Sequence, residues 1–188
     1  MDVGESEERL AVVAFGANLG DVKGNIERAL ALLGKVERVT VLKISSVLST
    51  LPVGGPANQP TYSNGAVLIR SDLSPYSLLE ELQKIEYKLM RVRQEKWGPR
   101  TMDLDLVLYG DLVVNDSNLT LPHPRVYWRH FVLDPVCEIA SELVLPTTGL
   151  TFNETRRLLY FVFREFDVTS FFCLQQTGFQ PEPIAQSL

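Results

Sequence analysis

The segment Met102-Asp103-Leu104-Asp105-Leu106-Val107-Leu108-Tyr109 constrains this chain more than any other. Acidic and apolar residues alternate at its head, and its second half is apolar throughout. Successive side chains on a strand point to opposite faces. Read as a strand, the segment puts Met102, Leu104, Leu106 and Leu108 on one face and Asp103 and Asp105 on the other. The Cα atoms of the two acids then lie about 6.6–6.8 Å apart, at roughly 3.3 Å of rise per residue. A fold containing this strand must bury one of its faces and leave the head of the other open to polar company.

Two carboxylates that close on a half-buried element repel each other unless a cation sits between them. A site for Mg²⁺ and a phosphate substrate resolves the repulsion, because Mg²⁺ is usually held by one or two carboxylates plus phosphate oxygens. A solvent-facing strand that happens to carry two acids is the plainer alternative. The neighbours favour phosphate: Arg91, Arg93, Lys96 and Arg100 lie just upstream, and guanidinium forks suit phosphate oxygens. Without the aspartates the same cations would read as a solvated loop. Trp97 beside Gly98-Pro99 puts a large aromatic into that basic loop, as in a lid.

The rest of the chain reads as one α+β domain over residues 10–166, with a tail at 1–9 and an extension of unassigned role at 167–188. At 188 residues and 45% apolar composition it can bury a core. Residues 11–15 form a short buried strand. Asp21 caps a helix carrying Ile26, Ala29, Leu30 and Leu33, which Gly34 stops. Residues 36–49 are rich in β-branched side chains and make one strand or two short ones. Prolines and glycines make 51–61 a loop, and 62–71 returns to strand. Ser74-Pro75 opens a helix with Leu78, Leu82, Ile85 and Leu89 on one stripe. After a turn at Gly110-Asp111 come a short strand at 112–114, a loop at 120–129 and a short helix at 131–140. Thr151-Phe152-Asn153-Glu154 is a capping box opening a last helix near Leu158 and Leu159. Hairpin-like connections among the strands favour α+β over a doubly wound sheet.

Composition narrows the function. A net charge of −5 argues against a nucleic-acid or membrane-surface binder, but not against an anionic small substrate. No apolar run reaches about 18 residues, and the acidic N-terminus lacks a signal peptide's apolar stretch, so a cytoplasmic protein is expected, with a monomer as the default state. Cys137 and Cys173 have no metal-ligand spacing. There is no GxxxxGK[ST] and no nucleophile elbow. Two histidines, His123 and His130, do not make a histidine-rich zinc site.

Several residues keep two readings. Gly16-Ala17-Asn18-Leu19-Gly20-Asp21 is a phosphate loop without its lysine, or a tight strand-to-helix turn. Gln83 and Glu86 share a side of their helix, off the apolar stripe, as plain surface or as substrate contacts. Tyr62 and Asn64 share a strand face, as an ordinary pair or as an aromatic and an amide for a flat heterocycle. Phe131 is core or the same kind of surface. His123, within Leu121-Pro122-His123-Pro124-Arg125, is a loop histidine.

Taken in order, Phe15-Gly16-Ala17-Asn18-Leu19-Gly20-Asp21, Tyr62-Ser63-Asn64-Gly65-Ala66, Arg91-Val92-Arg93, Trp97-Gly98-Pro99-Arg100-Thr101-Met102-Asp103-Leu104-Asp105 and Pro122-His123 resemble the 6-hydroxymethyl-7,8-dihydropterin pyrophosphokinase family of folate biosynthesis. The likeness extends over residues 11–160. It implies a ferredoxin-like two-layer α+β sandwich, a mostly antiparallel sheet with helices packed on it. It implies transfer of the β,γ-diphosphate of ATP to the pterin hydroxymethyl group, leaving AMP, with two Mg²⁺ ions on Asp103 and Asp105. By the same resemblance the pterin is stacked between Tyr62 and Phe131, its edge is read by Asn64, and Thr50, Leu51, Pro52, Val53 and Trp97 complete its site. ATP would meet Gln83, Glu86, Arg91, Arg93, Leu106, Thr120, His123 and Arg129. Arg93, Arg100, His123 and Arg129 join the two aspartates as the catalytic set, and Trp97 and Arg100 belong to a closing loop. Lys96 stands where the family often has arginine, and Pro124 where some members have tyrosine. The rivals are a phosphatase built on the same acids and a silent ferredoxin-like RNA-binding module, against which the acidic balance argues.

Overall fold

The computed structural model describes residues 7–52, 59–90 and 98–165. Its elements are β1 (Arg9–Ala17), α1 (Val22–Leu33), β2 (Val39–Ile44), β3 (Leu48–Thr50), β4 (Tyr62–Ser71), α2 (Pro75–Lys88), β5 (Asp103–Tyr109), β6 (Val114–Asn115), β7 (Thr120–Leu121), a 3₁₀ turn at Val126–Trp128, α3 (His130–Ala140), β8 (Val144–Leu145), β9 (Leu150–Thr151) and α4 (Phe152–Glu165). The main sheet runs β2-β4-β1-β5, with β3 also paired to β4, and every neighbouring pair is antiparallel. Consequently β1–α1–β2 is a split crossover, with β4 inserted between its two parallel strands, and β4–α2–β5 is another, around β1. That is the ferredoxin-like arrangement.

Alternation along β1 divides the core. Ala11, Val13, Phe15 and Ala17 pack with Ile26, Ala29 and Leu33 of α1 and with Leu78, Leu82 and Ile85 of α2. The stripes read from the sequence are thus the buried ones, and full burial of each leucine contributes about 1.5–3 kcal/mol. Val12, Ala14, Ala66 and Leu68 face the other way, onto Val132, Val136 and Ile139 of α3 and Phe152 and Leu159 of α4. The expected two-layer sandwich therefore carries a further helical layer on its second face.

Local signals set the helix starts. Asp21 accepts the Gly24 N–H and Ser74 that of Ser77. Thr151 and Glu154 bond reciprocally, as the capping box requires. The 36–49 segment is two strands, because Ser45 breaks it. Its N–H donates to Ala66 O and its hydroxyl accepts the Ala66 N–H, both at 2.9 Å. Residues 112–114 and 120–129 also differ from expectation: the short hairpin of β6 and β7 takes part of each.

In β5 the expected shared face of Met102, Leu104, Leu106 and Leu108 fails at Leu108. Val12 pairs with Leu108 but Val13 with Leu106, so Val107 is an extra residue in the strand. Such a bulge turns the following side chains over. Leu104 and Leu106 lie in the α1/α2 core, whereas Val107 and Leu108 both lie in the α3/α4 core.

Gly65 lies beneath the Phe15 ring, where a Cβ would stand 2.2 Å from Cζ. Phe15 is buried and cannot yield without disturbing α1 and α2. Gly65→Ala is expected to lower unfolding stability by about 1–3 kcal/mol, read as a fall in the urea midpoint. An unchanged midpoint would contradict this packing.

Candidate active site

Across the sheet, Asn64 of β4 faces Gly16 of β1, and Gly16 faces Asp103 of β5. One step along, Ala66, Ala14 and Asp105 form a second row. Paired residues share a face, so Asn64, Asp103 and Asp105 project on the α3/α4 side. With strands about 4.8 Å apart, the amide and the carboxylates flank a strip floored by glycine and alanine. A Cβ at residue 16 would stand 2.7 Å from Asn64 Oδ1; only glycine lets the amide lie over β1.

Each aspartate has an arginine, and each arginine an aromatic ring. Arg100 Nη1 donates to Asp103 Oδ2, and its guanidinium lies 5.9 Å from the centre of the Tyr62 ring. Arg129 Nη1 donates to Asp105 Oδ2 at 3.5 Å and lies 5.6 Å from the centre of the Phe131 ring. Burial opposes the charge of Arg100, but Asp103, Tyr62 and Asp105 outweigh it and its pKa is raised. Burial prevails at Arg129, whose pKa is lowered despite Asp105. Both remain cations, since guanidinium is not deprotonated in proteins. The Asp103 and Asp105 side chains are 16% and 36% exposed, so solvent and ligand reach both.

The bulge brings in His123. Its N–H donates to Val107 O at 2.9 Å, and its Nδ1 accepts the Arg125 N–H at 3.1 Å. This bonding assigns the remaining proton to Nε2. Burial holds His123 below its ordinary pKa; Asp105 pulls upward, and Arg129 and Arg125 push down.

Asn18, within the glycine-rich turn, is a buried junction. Its Oδ1 accepts the Arg100 N–H at 2.9 Å and its Nδ2 donates to Pro60 O at 3.1 Å. The N–H groups of Asn18 and Leu19 both donate to Arg100 O. Those two donors are taken, and Gly20 at φ +72° bends the chain into α1, as a tight strand-to-helix turn requires. The available signal was an amide within a glycine-rich turn, which does not name its distant partners.

Thr50 borders the strip, since its Oγ1 accepts from Asn64 Nδ2 at 2.7 Å; Leu51 is strongly exposed next to it, followed by the half-buried Pro52. The Tyr62 hydroxyl is 3.2 Å from both Gln59 Oε1 and Gly98 O. Gln83 and Glu86 do not share an environment: Gln83 is exposed, whereas Glu86 is buried and accepts the Leu104 N–H at 2.7 Å. Packing of α2 on β5 widens the buried stripe to include Glu86. The Leu106 side chain is core, so only its main chain, on the outer edge of β5, is left for a ligand. Thr120 is half-buried in β7, beside β5. Val53, Arg91, Arg93, Lys96 and Trp97 lie outside the described residues.

Among the described residues no three His, Cys, Asp or Glu side chains gather as a self-sufficient metal site. Two carboxylates of hard oxygen fit a cation that draws its other ligands from phosphate and water, as Mg²⁺ does, and do not fit a closed zinc site.

The chain as a whole belongs to a known class of proteins. Residues 12–141 match the family model for 7,8-dihydro-6-hydroxymethylpterin-pyrophosphokinase (HPPK). The chain is 47% identical over 141 residues to the 2-amino-4-hydroxy-6-hydroxymethyldihydropteridine pyrophosphokinase of Synechocystis sp., covering 75% of this chain and 71% of that protein. It is 41% identical over 140 residues to the enzyme of the same name from Haemophilus influenzae, covering 74% and 87%. The crystal structure of wild-type Plasmodium falciparum HPPK-DHPS is similar in fold, with a TM-score of 0.65 at 11% identity over 85% of this chain. This chain spans less than half of that one, 46% of its length. The chain is a member of the HPPK family.

His123 and His130 are the chain's two histidines, and burial lowers both below 6.5, with Asp134 opposing at His130. The folded state therefore binds fewer protons than the unfolded one just below pH 6.5, and stability falls as pH drops through that window. Proton NMR of the two imidazoles is expected to give midpoints below 6.5; midpoints at or above it would contradict the burial.

Proposed function

We propose that the chain transfers the β,γ-diphosphate of ATP to the hydroxymethyl group of 6-hydroxymethyl-7,8-dihydropterin, giving AMP and the pterin diphosphate, a step of tetrahydrofolate biosynthesis in the cytoplasm. The observation that carries this reading is the pair of Asp–Arg–aromatic trios, Asp103–Arg100–Tyr62 and Asp105–Arg129–Phe131, in a chain of this family. They join an acid site suited to a phosphate-bound cation to two rings suited to a flat heterocycle.

The pterin lies between Tyr62 and Phe131 over the Gly16 strip. Thr50 takes one N–H of the Asn64 amide, leaving a donor and an acceptor for the pterin edge. ATP runs along the outer edge of β5, where the Leu106 main chain, Thr120 and the exposed Gln83 are within its course, and its phosphates reach Asp103 and Asp105. Glu86 contributes by holding the Leu104 N–H rather than by touching the nucleotide. By the family pattern Arg91, Arg93, Trp97 and Val53 complete the two sites.

Diphosphoryl transfer between oxygens asks mainly for alignment and charge neutralisation. Arg100 and Arg129 balance the acids and donate to phosphate oxygens when these arrive. His123, with Nδ1 engaged by the Arg125 N–H, presents Nε2–H as a neutral donor. Two Mg²⁺ ions held by Asp103 and Asp105 would supply further neutralisation and favour ionisation of the pterin hydroxyl.

The test is incubation with ATP, Mg²⁺ and the hydroxymethyl pterin while AMP is measured. AMP formation should depend on pterin and fall about a hundredfold or more in Asp103→Ala. ATP turnover independent of pterin would overturn the assignment.

A further inference from the structure

Helix α3 and the corner between β2 and β3 are clasped by one side chain. Glu138 accepts the Ser46 N–H on both carboxylate oxygens, each at 3.0 Å, and the Ser46 hydroxyl donates to Oε2 at 2.6 Å. These bonds hold the carboxyl below its usual range. The next residue back, Ser45, fastens the corner to Ala66 of β4 through two bonds. Two residues beyond Ser46 begins β3, which pairs with Asn64, Ser63 and Tyr62, and its Thr50 bonds Asn64. On the helix, Glu138 is seven residues after Phe131. Seven residues make two turns, so both lie on one side of α3, about 10 Å apart along its axis.

One carboxylate therefore links the helix bearing Phe131 to the strands bearing Thr50, Tyr62 and Asn64. We propose that Glu138 is a positioning residue that, on top of the apolar packing of α3 on β4, fixes how the Thr50 end of β3 sits against α3 and so trims the separation between these two walls of the pterin slot. The proposal rests on the activity assigned above. Glu138 touches no reacting atom and is itself exposed. A lone exposed contact of this kind is worth little to stability. Its importance is geometric: three bonds to one residue fix both direction and distance, and a displaced binding wall weakens the hold on the ring stacked against it.

Glu138→Ala should raise the KM for pterin by about five- to twentyfold while leaving the KM for ATP and kcat within about twofold. In Glu138→Gln the amide still accepts the Ser46 N–H and its NH₂ can donate to the hydroxyl oxygen, so the pterin KM should return most of the way. Ser46→Ala, which removes the hydroxyl bond alone, should give a smaller rise. Combined with Glu138→Ala it should add nothing, because both changes break the same link. Equilibrium dialysis of pterin in the presence of a non-hydrolysable ATP analogue reads the slot without turnover and should show the same order of affinities. An unchanged pterin affinity in Glu138→Ala, or an equal loss for both substrates with a lowered Tm, would overturn the proposal. Absence of pterin-dependent AMP formation in the unaltered chain would instead overturn the assigned activity, and the dialysis series would still decide the role of Glu138.

Discussion

The end of β1 is where fold and chemistry meet. Antiparallel pairing on both sides fixes which residues of β4 and β5 flank Ala14 and Gly16, and period-two alternation fixes which face they share. Farther along that face Val12, Leu68 and Leu108 are covered by α3 and α4. At Ala14 and Gly16 the strand's side chains shrink, and polar groups from both neighbours project above them. The amide of Asn64 uses the space a Cβ at residue 16 would occupy. A one-residue slip in either pairing would send Asn64 or the aspartates into the α1/α2 core.

Charge is managed in the same compact manner. Two carboxylates on one strand face would repel, but each has a guanidinium against it, and each guanidinium has an aromatic ring within cation–π distance. Arg100 is oriented from a second side as well, since Asn18 holds its main chain from the β1–α1 turn. Arginines arranged this way balance the acids, and in the proposed reaction they need little rearrangement to meet a phosphate.

What the sequence revealed follows from how far each feature reaches. Caps at Asp21, Ser74 and Thr151 involve residues three apart, and the α1 and α2 stripes follow a helical period; all were legible. So was the shared face of Asp103 and Asp105, because alternation needs only the strand itself. The bulge at Val107 was not, since it exists only relative to β1. The burial of Glu86 was not legible for a similar reason: it is decided by the Leu104 N–H, eighteen residues away. The ties of Asn18 to Pro60 and Arg100, and the seating of each arginine on a ring, are likewise tertiary. The pterin came from the ordered family motifs rather than from spacing.

In the proposed reaction Asp103 and Asp105 seat a phosphate-bound cation. Calorimetric titration with a non-hydrolysable ATP analogue, with and without Mg²⁺, tests it most directly, in the unaltered chain and in Asp103→Asn and Asp105→Asn. Tight analogue binding should require Mg²⁺ in the unaltered chain, and that requirement should weaken in both variants. Equal affinity with and without Mg²⁺ in the unaltered chain would contradict the claim.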